Sequence, residues 1–136
     1  MQLHSIIIHV NDIDKAISFY TKNLNFKKSL DVSNKDIRNG SCVRKTSLIS
    51  TDLNSDLKIT FSSLANSFNP LLEYKDHLFK SGVPYIKFLV KDIDSEYKRL
   101  KSLGVRFSLP PQLTGLSKIA VFDDSCGNYI QINEEV

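Results

Sequence analysis

The side chains in this chain able to do chemistry are few: His4, His9 and His77, Cys42 and Cys126, and the aspartates of a stretch written twice. Nucleophilic catalysis needs a base within hydrogen-bonding reach of the nucleophile and a third group to orient it. No serine-histidine-acid or cysteine-histidine grouping can be assembled from these spacings. The two cysteines lie far apart and form no C-x-x-C pair, so they supply neither a dithiol redox motif nor a zinc ribbon. Free thiols are the expectation, with a disulfide as the alternative.

The repeated stretch is more informative. VNDIDKAISFY near the start has a counterpart in VKDIDSEYKRL, with Val10, Asp12, Ile13 and Asp14 reappearing as Val90, Asp92, Ile93 and Asp94. Each copy stands between an apolar run and a helical pattern. Residues 5–10, SIIIHV, read as a strand, and Asp14 is a plausible N-cap for a helix carrying Ala16, Ile17, Phe19, Tyr20 and Leu24 at helical spacing. Strands are expected at 27–32, 41–50 and 57–63, separated by the polar turns SNKDIRNG and STDLNSD.

The order then recurs. A strand is expected at 85–90, a helix starting at Asp94 with Tyr97, Leu100 and Leu103 on one face, and strands at 105–109, 118–123 and 129–132. Gly104 falls where a helix should end, and Gly127 is the candidate for positive φ in the turn DSCGN. Such internal similarity marks a duplicated βαβββ module. The expected organisation is a single domain over 1–136. It comprises a first module over 1–64, a linker over 65–83 with a short helix at 70–80, and a second module over 84–136.

Composition limits the function classes. Hydrophobic residues at 41% and charged residues at 24% suit an ordinary globular core. The 18 basic and 15 acidic residues are interspersed without a basic stripe, which argues against a nucleic-acid partner. No apolar run reaches the roughly 18 residues of a membrane span. MQLHSIIIHV has no basic region and no cleavage site, so no membrane association and a cytoplasmic location are expected.

Three segments together, IIIHVNDIDKAISFYTKNLNF, IKFLVKDIDSEYKRLKSLGV and VFDDSCGNYIQI, resemble the glyoxalase/bleomycin-resistance/extradiol-dioxygenase superfamily, the vicinal oxygen chelate proteins. The resemblance spans nearly the whole chain. It implies an α+β fold with two paired βαβββ modules forming a curved, open eight-stranded mixed β-barrel around a central cavity. A homodimer is also implied.

Metal enzymes of that superfamily take ligands from the first and last strands of each module. The matching positions here are Ser5, Thr60, Tyr85 and Gln131. Serine, threonine and protonated tyrosine are poor ligands for zinc or nickel, and a neutral set offers no charge to offset dehydration of a dication. The expectation is therefore no metal and no cofactor. Strand alternation places His4 on the opposite face from Ser5 and His9 on the same face. Ser5, Ile7, His9, Thr60, Tyr85, Lys87, Tyr129 and Gln131 are the expected ligand-binding lining, with Lys58, Ser62 and Leu89 beside them. His77 is expected to be exposed. This mixed lining suits a small organic ligand with an aromatic or anionic part. The expected function is metal-free binding or sequestration of such a molecule. The alternative is a metal-dependent glyoxalase-like lyase, isomerase or dioxygenase using displaced ligands such as His4, His9 or Glu134.

Overall fold

Two aspartates start the two modules' first helices, each from the first D of V-x-D-I-D. A computed structural model describes residues 1–51 and 56–135. In it, strand β1 (Ser5–His9) leads to helix α1 (Ile13–Asn23). Asp12 is extended, at φ −148° and ψ 112°, and its carboxylate accepts the Lys15 N–H at 3.1 Å. The expected cap, Asp14, instead lies inside the first turn, where a negative charge favours the helix dipole. The second module repeats this. Asp92 accepts the Ser95 N–H at 3.0 Å ahead of helix α3 (Ile93–Ser102), and Asp94 is again a first-turn acid. The helices stop at Leu24 and Leu103, and the next residues, Asn25 and Gly104, have φ of 60° and 84°. Those two positions match in the repeat, and both end a helix through the left-handed region.

The first module continues with β2 (Phe26–Lys35), β3 (Cys42–Ser50) and β4 (Lys58–Ser62). Residues 52–55 of the expected turn STDLNSD lie outside the described residues. β1 pairs parallel with β4, β4 antiparallel with β3, and β3 antiparallel with β2, giving the order β1-β4-β3-β2. One face packs on α1. Ile8, Leu48, Ile59 and Phe61 are buried there with Ala16 and Tyr20, and the Tyr20 and Phe61 rings meet edge to face at 5.0 Å. Each such apolar side chain contributes about 1.5–3 kcal/mol on burial.

The second module follows helix α2 (Asn69–Lys80) and comprises β5 (Pro84–Leu89), α3, β6 (Phe107–Thr114), β7 (Ser117–Asp123) and β8 (Tyr129–Glu135). Its sheet order is β5-β8-β7-β6. β6 runs beyond the expected stop at Leu109, through Pro110 and Pro111. It can do so because it is an edge strand whose pairing with β7 shifts between Leu109 and Gln112, where no ladder N–H is required. Ala120, Phe122, Ile130 and Ile132 form the buried face with Ile93 and Leu100. Gly127 has φ of 96°.

The fold is α+β with two βαβββ modules. The expected eight-stranded barrel is corrected to two separate four-stranded mixed sheets. Within each module the first strand pairs with the last, so each ladder is completed internally. Contacts gather residues 1–67 in one unit and residues 68–136, including α2, in a second. Among the described residues, no helix is long and apolar enough to cross a membrane.

Candidate ligand-binding site

The face of the first sheet that does not pack on α1 is the starting point. Pairing puts Ile7 beside Thr60, Thr60 beside Ser47, and Ser47 beside Leu30, in one row across all four strands. Alternation keeps these four side chains on the open face while Ile8, Phe61 and Thr46 turn to the core. Ile7 remains 56% exposed and Leu30 43%. A concavity of about 500 Å³ opens at one end of this face. Ile7, Val43 and Leu64 give it apolar walls, Thr60 and Ser62 give it hydroxyls, and Lys45 gives it a cation.

The β2–β3 connection forms another side of the concavity and holds itself in shape. Asp36 accepts the Arg38 guanidinium through both oxygens, at 3.0 and 2.7 Å, and the Arg38 N–H at 2.8 Å. These bonds hold the Asp36 carboxyl at about 2, well below its ordinary value. Asn39 accepts from the Ser41 N–H and hydroxyl. Arg44 also lines the concavity and bridges Asp31 on β2 and Asp14 on α1 at 2.9 and 2.8 Å. Both carboxyls are lowered and the guanidinium is raised by this pairing.

A sequence model of the glyoxalase/bleomycin resistance protein/dioxygenase superfamily matches residues 2–132. The chain belongs to that superfamily. It is 39% identical over 125 residues to the uncharacterized protein YurT of Bacillus subtilis (strain 168), covering 92% of each chain. Among solved structures it resembles UcmS2, with a TM-score of 0.79, 23% identity, and coverage of 98% of this chain and 97% of the other. It also resembles TnmS3, an antibiotic binding protein from Streptomyces sp. CB03234, with a TM-score of 0.73, 19% identity, and coverage of 100% and 97%. Those two likenesses concern the fold.

The expected lining residues of this superfamily member fall into separate groups. In the first unit, Ile7 and Thr60 come together in the concavity. Ser5 and His9 stand at opposite ends of β1, paired with Lys58 and Ser62. In the second unit, Tyr85 and Tyr129 border one small cleft. Lys87 is exposed and pairs across to Gln131, whose amide donates to Asn133 Oδ1 at 2.7 Å.

The superfamily's metal chemistry does not fit these donors. Ser5, Thr60, Tyr85 and Gln131 present hydroxyls and one amide, without a carboxylate or imidazole among them. Of the displaced candidates, Glu134 lies on the α3 side, where its carboxylate accepts the Ile93 N–H at 2.7 Å. Among the described residues, no three histidine, cysteine, aspartate or glutamate side chains gather as metal donors would.

Sequence reasoning missed Lys75. Its Nζ donates to Asn128 Oδ1 at 2.5 Å and lies 5.0 Å from the centre of the Tyr85 ring. Asn128 is held in turn by Asp124, which accepts the Asn128 and Cys126 N–H groups and the Asn128 amide at 2.7–3.0 Å. Lys75, Asp124 and Asn128 are all buried. Burial pushes the Lys75 amine down to about 8, against the pull of Asp124 and Cys126, and raises the Tyr85 phenol. Phe79 and Tyr129 stack alongside at 4.5 Å and 9°. One signal was present in the sequence: Lys75 stands on the same helical stripe as Leu71, Leu78 and Phe79.

Proposed function

We propose that this superfamily member binds a small organic molecule in the concavity of its first unit and holds it without converting it. The observation that carries this reading is the concavity of about 500 Å³, with apolar walls and a row of hydroxyls. That is the size and mixed chemistry of a site for a drug-sized molecule. Its walls offer no nucleophile paired with a base. Thr60 and Ile7 are the proposed contacts at its floor. The description of TnmS3 as an antibiotic binding protein supports binding as an activity compatible with this fold.

Holding a ligand in this way uses shape, apolar area and a few hydrogen bonds, and needs no metal. The test is to purify the protein without chelators and measure bound metal by elemental analysis. Thermal unfolding is then followed with nickel, zinc, manganese and iron, and separately with a panel of aromatic natural products. Stabilisation by an organic compound alone is the expected result. Stoichiometric metal with a marked rise in melting temperature would overturn the reading. From family membership we also infer a homodimer, and a monomer mass by light scattering would sink that part.

A further inference from the structure

The open face of the first sheet is charged in one sense only. Lys27 on β2 and Lys58 on β4 flank Ile49, each paired to it across the ladder. Lys45 lies further along β3 with the same parity as Ile49 and Ser47. Strand spacing puts Lys27 and Lys58 roughly 10 Å apart, with Lys45 roughly 13 Å along from Ile49. No aspartate or glutamate in these four strands shares that face, since Asp31 pairs beside Thr46 on the α1 side. Asp36 lines the concavity and attracts Lys45 at longer range, but both its oxygens are engaged by Arg38. Among the described residues, none of the three lysines has an ion pair.

Isolated surface lysines are usually just solvated. The balance of pairing is the unusual feature here: Arg44 at the concavity is taken up by Asp14 and Asp31, and Arg38 by Asp36, so Lys45 is the lining cation without an ion pair among the described residues, with Lys27 and Lys58 further along the same face. A cation at the edge of a partly desolvated hollow favours an anionic occupant and disfavours a cationic one, and like-signed neighbours raise the local anion concentration. From this we infer that the ligand is an anionic amphiphile. Its apolar body lies against Ile7, Val43 and Leu64, and its negative group reaches Lys45. This rests on the concavity being the ligand site, as proposed above.

The test compares three fluorescent probes of similar size by titration: anionic 8-anilinonaphthalene-1-sulfonate, its neutral parent N-phenyl-1-naphthylamine, and the cationic dye acridine orange. The anion is expected to bind at least tenfold tighter than the neutral parent at low salt, with the margin shrinking as salt is raised. Lys45→Gln should remove that margin by weakening the anion at least tenfold more than the neutral probe. Lys15→Gln, on exposed α1, should change neither. If neutral and anionic probes bind equally, if acridine orange binds best, or if Lys45→Gln leaves the margin intact, the anionic preference is overturned while the binding site stands. If no probe binds, both the preference and the proposed function fall.

Discussion

Lys75 on α2 and Asn128 in the β7–β8 turn, distant in sequence, are joined by a buried 2.5 Å hydrogen bond from an ammonium to an amide oxygen. This contact fastens α2 to the turn that closes the second sheet, and it places an ionisable group where burial opposes its charge.

A pH dependence of stability follows. The folded-state value of Lys75, about 8, lies below its ordinary 10.5, so the unfolded chain binds more protons between those limits. Stability should therefore rise with pH from about 8 to 10.5, and the cost of the buried charge is fully present below 8. Allowing for partial solvation, the change should be about 1–2 kcal/mol. Urea unfolding at pH 7, 9 and 10 measures it. Lys75→Met should flatten the profile across that window, and an unchanged profile would refute the assignment to Lys75.

Asp124 is the acceptor on which the closing turn depends. Asp124→Ala leaves the Cys126 and Asn128 N–H groups buried without their acceptor. Each orphaned donor costs about 1–3 kcal/mol. Chemical denaturation should show a loss of at least ~2 kcal/mol, and a loss below ~0.5 kcal/mol would mean the turn does not need the carboxylate.

The two aspartates of each V-x-D-I-D should behave differently. Asp12→Ala and Asp92→Ala remove N-caps and should each lower the unfolding midpoint measurably. Asp14→Ala removes an exposed partner of Arg44 and should cost clearly less than Asp12→Ala in urea unfolding. Equal losses at Asp12 and Asp14 would contradict the capping geometry.

Filling the concavity should separate binding from folding. Thr60→Tyr places a ring on the open face of β4, against no core residue. Binding of N-phenyl-1-naphthylamine should weaken at least tenfold, with the unfolding midpoint moved little. Undiminished probe binding would place the site elsewhere.

The sequence by itself determined the two modules, their strand and helix order, the positive φ at Gly127 and the family. Those features rest on local periodicity and turn chemistry, which act over a few residues: SIIIHV alternates, and AISFY repeats at helical spacing. It also determined which parity of β1 and β4 faces away from the helix, and so brought Ile7 and Thr60 forward together. Tertiary structure decided the rest. Which aspartate capped each helix depended on where the extended backbone of Asp12 and Asp92 aimed its carboxylate. The closing of each sheet within its own module depended on long-range pairing of β1 with β4 and β5 with β8, which no local pattern encodes. Lys75 reads as an ordinary helix lysine until α2 docks and Asn128 receives it. The one-signed face of the first sheet likewise exists only once the register sets Lys27, Ile49 and Lys58 in one row.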